Sequence, residues 1–598
     1  MAYSDNFPAV RPVFQADFAN GGKIDPRATF SRASTANVFD GAKHLSSDNL
    51  LLQSSSFDTT WSHQGLTSIT SGQTDPSGGT SGFTLLEDSA TAFHRIYQST
   101  TATGELALTV YAKRNAGSRY LNLSISTSAS STGAGLATFD LAGGATHTDN
   151  GASSTLTNLS ATQTASGNGY YKCVFKATAT GTTSVNISLS DIAAPVSNNY
   201  GLVLYAGNGT SSIDLAFASL SSVNSTEYVP TTTQIARSYA PSLVSKANNA
   251  ARFEVGVDGQ SMGVLIESQA TNLIPNSSGI NSWVTKGNVT ITDSAAVGPD
   301  GTLSASLVRP TGATSLQHYI RENITTVASS SYTFSAYVKP AGYTKLLMVS
   351  EQTAHPYTDY ANATFTLTGA GSVTTSAGSA TITALSDGWY KITATGTAAT
   401  TGSYALLSVL NDAGDLVYTA DSYSGIIITG VQFELGSFAS SLIATSGATA
   451  TRALDSLSVV DSSLFDNGSG ALAAEYDMFA ATETSYLLHI EKSSGGTNGG
   501  GISVTNRYLG VESNYLDLGN TTSNVFHKVA ASWETGSQKM SRDGGAASED
   551  TSTVIPSGTD KLFIGVRQDG GEHVNGHIKR LAIYSEPLSS TNLQALTS

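Results

Sequence analysis

Apolar and polar residues alternate at every second position in many short segments of the chain. The pattern is clear in LALTVYAK (106–113), YLNLSIS (120–126), SVNISLS (184–190), KITATGT (391–397) and KLFIGV (561–566). These segments are rich in Val, Ile, Thr, Tyr and Phe, and clusters of Gly, Asn and Ser separate them, which is typical of antiparallel β-sandwiches. The sequence therefore predicts an all-β fold made of tandem antiparallel jelly rolls.

Several short phrases occur twice, in the same order along the chain. The pairs are NLLLQSSSFDTTW (49–61) with NLIPNSSGINSW (272–283), His94 with His318, LTVYAKRN (108–115) with FSAYVKPA (334–341), GYYK (169–172) with GWYK (388–391), and Arg237 with Arg452. Small drifts in their spacing are what loop insertions and deletions produce. We therefore expect two related jelly-roll copies, in which Trp61 and Trp283 fill the cores and the two histidines make structural hydrogen bonds.

At 598 residues the chain is too long for one hydrophobic core. Residues 1–18 hold two prolines and isolated aromatic residues, too little for a core of their own. The predicted order is an N-terminal attachment arm (1–28), a first jelly roll (29–230), a connector (231–271), a second jelly roll (272–445), a linker (446–468) and a final sandwich (469–598).

The charge and composition of the chain limit the kinds of partner and compartment that we expect. The formal net charge of −15 opposes binding to phosphate backbones, so we expect no nucleic-acid partner. The chain shows no signal peptide and no apolar run of about 18 residues, which predicts synthesis in a cytoplasm and no insertion into a membrane. The single cysteine, Cys173, is expected to be a buried thiol.

Four phrases carry a resemblance to a known family. They are RPVFQADFANGGKIDPRATFSRAST (11–35), ARFEVGVDGQSMGVLIESQATNL (251–273), GVQFELGSFASSLIATSGATATR (430–452) and NGHIKRLAIYSEPLSSTNLQALTS (575–598). Together they resemble bacteriophage tail or head fibre and spike proteins, which carry jelly rolls similar to carbohydrate-binding modules and a C-terminal laminin-G or concanavalin-like jelly roll. Here a whole jelly roll separates the first two phrases, as an insertion or duplication would.

The resemblance implies a function. It implies a virion fibre or spike subunit that attaches to other virion proteins through its N-terminal arm and adheres to host cell-surface polysaccharide. It also implies a homo-oligomer, with a trimer as the first expectation. The alternative is a purely structural tail or head component without glycan binding.

Most catalytic motifs are missing from the sequence. There is no HExxH or P-loop and no Cys/His cluster with zinc spacing, and the GxSxG pattern occurs once, as GQSMG (259–263). A polysaccharide depolymerase needs two carboxylates that face each other across a cleft, which no local pattern reveals. We therefore expect a protein that is not an enzyme and needs no cofactor.

The first candidate carbohydrate site is the loop from 351 to 360. His355, Tyr357 and Tyr360 stand in a polar, Pro-bearing turn between two predicted strands, where exposed aromatic rings could stack on sugars. The alternative is that these tyrosines pack against a neighbouring subunit.

The second candidate is RQDGGEHVNGH (567–577) in the final sandwich. Asp569, Glu572, His573 and Asn575 could hydrogen-bond a sugar or hold a structural Ca²⁺ ion, since Ca²⁺ takes oxygen ligands from loops. The alternative is a tight turn, for which Asp-Gly-Gly is also suited. Because the final sandwich is farthest from the arm, we expect it to face the host.

Overall fold

The computed structural model describes residues 11–598, with gaps at 21, 128–132, 197–200, 224–225, 227, 313–314, 353–358, 466–468, 481–484, 492–501, 506–507, 512–513, 552–559 and 568–569. Every strand pairing between named strands is antiparallel, and the strands form three sandwiches, which confirms the predicted fold class. Two of the sandwiches are inserted into the third, which we call the base sandwich.

The base sandwich has two large sheets. The first is eight-stranded and runs in the order Arg252–Val255, Ser261–Ile266, Gly576–Tyr584, Gly470–Tyr476, His527–Glu534, Ser537–Arg542 and Ser548–Asp550, with Phe14–Asp17 also paired to Gly576–Tyr584. The second is seven-stranded, in the order Ala28–Ser31, Ser456–Val460, Lys561–Ile564, Tyr486–Glu491, Ile502–Thr505, Tyr508–Val511 and Asn514–Asp517. The helix Ser590–Thr597 packs its leucines outside the first sheet.

One core joins these distant segments. Phe14 and Phe30 from the start of the chain, Val264 from its middle and Trp533 near its end belong to a single buried cluster. The short strand FQAD (14–17) places alternate residues in this core, as period-two burial requires.

The structure therefore differs from the prediction for three segments, which were expected to lie outside the sandwiches. The arm (1–28) contains a strand that pairs along Gly576–Tyr584, the connector (231–271) contains the hairpin Arg252–Val255 and Ser261–Ile266, and the linker (446–468) contains Ser456–Val460. Each segment is too short to bury its apolar face alone, and each gains a core by pairing with strands far away in sequence.

The first jelly roll has two six-stranded sheets and a short strand pair. One sheet runs Thr146–Asn150, Ala134–Phe139, Tyr120–Ser126, Ser184–Ser190, Arg95–Ser99, Ser62–Gln64; the other runs Thr157–Ala165, Tyr171–Ala179, Gly104–Ala116, Ser212–Ser221, Gly82–Glu87, Leu66–Gln73; the pair is Thr91–Ala92 with Tyr205–Ala206. A 3₁₀ turn covers Gly167–Gly169. Cys173 is fully buried in this core, as expected.

The second jelly roll repeats the same order. One sheet runs Ser372–Ala377, Asp359–Thr366, Lys345–Gln352, Ser403–Leu410, Tyr319–Ile324, Thr285–Gly287; the other runs Ser379–Ala384, Tyr390–Ala398, Ser330–Ala341, Gly425–Leu435, Ala305–Pro310, Val289–Ala296; the pair is Leu316–Gln317 with Val417–Tyr418. Further 3₁₀ turns lie at Ile280–Ser282 and Ser386–Gly388 in this jelly roll, and one lies at Ser462–Phe465 in the base sandwich. The strand-for-strand match confirms that the domain occurs twice.

Repeated side chains occupy matching positions. His94 lies with its ring nitrogens 2.5 Å and 3.3 Å from the carbonyl oxygens of Gly65 and Tyr205, and His318 contacts two carbonyls in the same way. Trp61 and Trp283 are buried in the two cores and each donates its indole N–H to a backbone carbonyl. Both predictions for these pairs are confirmed.

Two antiparallel necks connect the jelly rolls to the base sandwich. The first neck pairs Ala36–Asn49 with Ala236–Lys246, and the second neck pairs Ala270–Asn272 with Ala450–Arg452. The chain leaves and re-enters the base sandwich through each neck. Among the described residues, no helix has the length and apolar character needed to cross a membrane.

Candidate carbohydrate-binding site

The predicted loop from 351 to 360 lies only partly within the described residues. His355 and Tyr357 fall outside them. Tyr360 is in the core of the second jelly roll, where its hydroxyl lies 2.7 Å from the Ser403 Oγ atom. The expected exposure of Tyr360 is wrong, because the strand Asp359–Thr366 begins before it and turns its ring inward.

The predicted site at 567–577 is mostly buried. Asp569 lies outside the described residues, and Glu572 is exposed and pairs with Arg567 at 3.0 Å. His573 is buried, with its Nε2 atom 3.0 Å from the Asp455 carbonyl oxygen. The buried Asn575 accepts a hydrogen bond from the Ser268 backbone N–H through Oδ1. His573 and Asn575 therefore cannot act as exposed ligands. They directly precede the central strand Gly576–Tyr584 and are buried together with it.

A cation site is not formed by the described part of the chain. No group of three or more His, Cys, Asp or Glu side chains among the described residues is arranged to hold a metal ion. The Ca²⁺ expectation for Asp569 is left as a prediction, since that residue is outside the described set.

Five buried charged residues meet where the necks leave the base sandwich. We call this cluster the ionic junction; it consists of Arg32, Arg252, Glu267, Arg452 and Asp455, all at most 2% exposed. Arg32 contributes its Nη1 to Asp455 at 3.1 Å, and Arg252 contributes its Nη1 to Glu267 at 2.6 Å and also pairs with Asp455. The RAST, VLIES and ATRALDS phrases of the sequence each supply part of this one cluster.

Hydrogen bonds complete the ionic junction. The Arg32 guanidinium donates to the carbonyls of Ser34 and Ala247, and Arg452 donates to that of Ser268. Glu267 accepts from the Ser441 N–H and hydroxyl at 2.8 Å and 2.7 Å. Burial opposes the charged form of Glu267, but the nearby arginines and Ser441 outweigh it and hold its pKa well below the usual value. The junction therefore holds the segments together, and most of its donors are engaged; among the described residues only the buried Nε atoms of Arg252 and Arg452 have no hydrogen-bond partner within it.

The best surface for a ligand lies on the second jelly roll. Its sheet containing Tyr319–Ile324, Ser403–Leu410 and Lys345–Gln352 turns alternate residues outward, and we call this outward side the open face. Its members are Tyr319, Arg321, Asn323, Leu347, Val349, Glu351, Asn362, Tyr404 and Leu406, all at least partly exposed except Val349. The intervening residues, such as Ile320, Met348 and Leu407, are in the core.

Strand register brings the polar groups of the open face together. Asn323, Tyr404 and Glu351 are neighbours across three strands, and the next row holds Arg321, Leu406 and Val349. The Arg321 guanidinium stacks 4.0 Å from the centre of the Tyr404 ring. Within the described part of the chain the Arg321 side chain makes no hydrogen bond; its Nε atom is buried, and the other donors of this partly exposed guanidinium are available to a ligand.

Glu351 adds an acceptor to the open face. Burial raises the pKa of Glu351, and the charge of Asp359 raises it further, while Arg321 partly opposes both effects. The open face thus combines two tyrosine rings, a guanidinium, a carboxyl group and the Asn362 amide on a rigid sheet. Stacking surfaces with a few fixed polar groups are what sugar rings require.

The centre of the equivalent face of the first jelly roll is covered, whereas Arg95 and Tyr97 on that face are partly exposed. Asn122, Ser124 and Asn186 occupy the centre and are at most 1% exposed. The backbone of Gly201 lies directly against Ser124, so that a Cβ atom on Gly201 would come within 2.8 Å of the Ser124 Cβ. The covering segment joins Ser184–Ser190 to Tyr205–Ala206.

Loop length explains the difference between the copies. The segment from 191 to 204 in the first jelly roll corresponds to the much shorter segment from 411 to 416 in the second. The drift in repeat spacing was the sequence signal for this difference. The alternation in KLLMVSEQ (345–352) and SYALLSVL (403–410) is the sequence signal for the open face, whereas the predicted site was the adjoining loop.

Comparison with known protein families gives one match, which covers the C-terminal part of the chain. Residues 462–594, within the base sandwich, match the Concanavalin A-like lectin/glucanases superfamily. No curated protein matches the sequence.

Several solved structures are similar to this chain at low identity. The CBM40 of the Ruminococcus gnavus IT-sialidase bound to α2,3-sialyllactose is 17% identical, with 22% of this chain and 83% of that chain covered and a TM-score of 0.19. The tandem CBM22-1-CBM22-2 domain of Paenibacillus barcinonensis Xyn10C is 10% identical, with coverage of 68% and 100% and a TM-score of 0.19. At these values the likenesses assign no ligand to this chain.

A third similar structure corrects one expectation. The Trypanosoma rangeli sialidase in complex with the inhibitor DANA is 8% identical and covers 90% of this chain and 94% of its own, with a TM-score of 0.20. Because an enzyme stands among the similar structures, the expectation that this chain is not an enzyme is overturned. The TM-score is too low for the likeness to assign a reaction.

Proposed function

We propose that the chain is a carbohydrate-binding protein whose open face on the second jelly roll contacts the glycan. The observation that carries this proposal is the pairing of Arg321 with Tyr404, because an unengaged guanidinium stacked on a half-exposed ring offers both hydrogen-bond donors and a stacking surface. The concanavalin-like match at 462–594 supports the same class of function.

The finer proposal is a bacteriophage fibre or spike subunit that adheres to host surface polysaccharide. Its support is the resemblance of the four phrases, of which the RAST, VLIES and ATR phrases each contribute a charged residue to the ionic junction. A virion location and a trimer belong to this proposal, since several weak sites on one particle gain affinity together. Attachment through residues 1–28 is not retained, because Phe14–Asp17 is a strand of the base sandwich.

A purely structural role is favoured for the first jelly roll. The centre of its outer face is filled by its own chain around Gly201, which leaves Asn122, Ser124 and Asn186 at most 1% exposed, while Arg95 and Tyr97 on the same face are partly exposed. This copy acts as a spacer in the proposal, and the second copy acts as the binding domain.

The test is glycan-array and bacterial-surface binding by the full chain and its variants. Tyr404→Ala and Arg321→Ala are each expected to weaken binding about tenfold, or ~1.4 kcal/mol, because aromatic and arginine anchors dominate such surfaces. Tyr97→Ala, at the first jelly-roll position equivalent to Arg321, is the matched control and is expected to leave binding unchanged. Thermal unfolding of each variant verifies that it is folded.

Two outcomes would count against adhesion. Normal binding by folded Tyr404→Ala and Arg321→Ala variants would exclude the open face. Incorporation of the chain into virions together with no glycan or host binding would favour the structural alternative. Light scattering at micromolar concentration tests the oligomer, and a monomer mass would contradict the trimer.

A further inference from the structure

A large cleft lies on the side of the second jelly roll opposite the open face. Its volume is about 1070 Å³, and its walls come from the first neck, the base sandwich and the strands Ser379–Ala384 and Tyr390–Ala398. Pockets for small ligands usually measure about 300–1,000 Å³, so this cleft has room for an oligosaccharide rather than one sugar ring. We call it the junction cleft.

Aromatic rings form part of the cleft wall. Phe39 of the first neck, Phe438 before the second neck and Phe479 of the base sandwich all line the cleft and are partly exposed. The centres of the Phe438 and Phe479 rings are 5.5 Å apart. Aromatic faces left half-open to a cleft suit the apolar faces of sugar rings.

The opposite wall carries hydroxyl groups. Thr381 and Thr383 are exposed on the strand Ser379–Ala384 and line the cleft, and the Thr381 hydroxyl lies 2.6 Å from that of Thr393 on the next strand. A rigid sheet holds these hydroxyls in place, and each can donate or accept a hydrogen bond. Hydroxyl groups of this kind suit a ligand that itself presents many hydroxyls.

A fixed carboxylate stands at the floor of the cleft. His577 lies between two acids, with its Nε2 atom 3.1 Å from Glu254 Oε2 and its Nδ1 atom 2.8 Å from Asp477 Oδ1. His577 and Asp477 are buried, whereas the Glu254 side chain is 25% exposed and lines the cleft. The imidazole therefore fixes the Glu254 carboxylate as an acceptor for ligand hydroxyls.

The charges around the cleft balance. Lys43 and Lys391 line it together with Glu254 and Asp258, and the nearby Glu267 is neutralised within the ionic junction. A cleft with no excess of either sign favours an uncharged ligand over an acidic or basic one.

We propose that the junction cleft is a second carbohydrate site and that it takes a neutral oligosaccharide. The ligand stacks on Phe438 and Phe479 and directs hydroxyls at Glu254 and at the threonines of the opposite wall. This site does not depend on the open face, because the two lie on different sheets of the second jelly roll.

The test begins with the full chain on an array of neutral oligosaccharides, with acidic ones alongside, followed by calorimetric titration of the tightest neutral binder. Phe479→Leu, which keeps bulk but loses the aromatic face, and Glu254→Gln are each expected to weaken its binding about tenfold or more. Tyr97→Ala on the first jelly roll is the matched control and is expected to leave that affinity unchanged, and Tyr404→Ala is measured alongside.

A blocking variant keeps the test decisive if a cleft variant unfolds. Thr383→Trp fills the cleft from an exposed strand position, where an aromatic residue is well tolerated, and it is expected to abolish binding while the melting temperature is kept. Binding of no neutral oligosaccharide, or normal binding in a folded Thr383→Trp variant, would overturn the proposal. Tighter binding of an acidic oligosaccharide than of every neutral one would also overturn it. Loss of binding in Tyr404→Ala with normal binding in the cleft variants would assign the glycan to the open face alone.

Discussion

Asn49 and Asn272 make the same four backbone hydrogen bonds at the entrances of the two jelly rolls. The Asn49 amide donates to the carbonyls of Ala218 and Val229, and its Oδ1 accepts from the N–H groups of Leu51 and Leu220. Asn272 does the same with Val431, Ile443, Ile274 and Phe433. Each asparagine ties the end of a neck to the long strand that closes its sandwich.

We expect Asn272→Ala to destabilise the second jelly roll by about 2 kcal/mol or more. The amide is fully buried, so its loss leaves several backbone groups without partners, at roughly 1–3 kcal/mol for each buried group. Denaturant unfolding measures the change, with the exposed Asn281→Ala as control, which should stay within about 0.5 kcal/mol of the parent chain. Equal stability of both variants would contradict the structural role of Asn272.

Removing Arg252 should damage the ionic junction. Arg252→Met removes the nearest cationic partner of the buried Glu267 and Asp455, and the loss of one member of a buried ion pair typically costs about 3–5 kcal/mol. Calorimetric unfolding of the full chain reports the change. The control Arg27→Ala removes a half-exposed pair with Asp25 and should cost no more than about 1 kcal/mol. A similar small effect for Arg252→Met would show that the junction adds little stability.

We expect low pH to reduce the free energy of unfolding through the titration of Glu267. Its pKa is held below the ordinary value of 4.5 in the folded chain, so its contribution to the free energy of unfolding is present above pH 4.5 and is lost as the pH falls below that value. We expect the melting temperature of the parent chain to fall more steeply than that of Glu267→Gln as the pH is lowered from 5 toward 3. Parallel curves for the two proteins would refute this assignment.

We expect high pH to lower the stability of the folded protein through the loss of the proton on His577. Burial opposes its charged form, but the charge of Asp477 and the hydrogen bonds to Asp477 and Glu254 outweigh it and raise the pKa to about 10. The resulting stabilisation is fully present below the ordinary value of 6.5 and is lost as the pH rises through about 10. The melting-temperature advantage of the parent chain over His577→Gln should therefore shrink between pH 7 and pH 10. The exposed His63→Gln is the control, and the same shrinkage there would rule out His577 as its cause.

Much of the fold could be predicted because its signals are local or repeated. Alternation over seven or eight residues indicated the long strands, and the doubled Asn and Trp phrases indicated the two copies. Phe14–Asp17 gave no such signal, since four residues define no period and their partner strand Gly576–Tyr584 lies at the other end of the chain. Pairing between strands so far apart in the sequence cannot be predicted from a local pattern of residues.

The candidate site was harder to predict for a different reason. A charged residue is almost always exposed, so nothing in the RAST phrase showed that Arg32 is buried against Asp455. Polar residues in turns are usually exposed and so attract a prediction, whereas the outward residues Arg321 and Tyr404 belong to two regular strands and stand out by no such signal. His577 stood inside the chosen loop phrase, yet its two acidic partners come from sequence positions far away.

The insertion of both jelly rolls into the base sandwich sets an order of events during synthesis. Each jelly roll has all its strands within one continuous stretch, so it can fold on the ribosome as soon as that stretch has emerged. The strand Phe14–Asp17 emerges before both jelly rolls, yet it must wait for Gly576–Tyr584 before it can pair. A strand made before either jelly roll is thus among the last to fold, and until then its apolar residues lack the core that buries them in the finished protein.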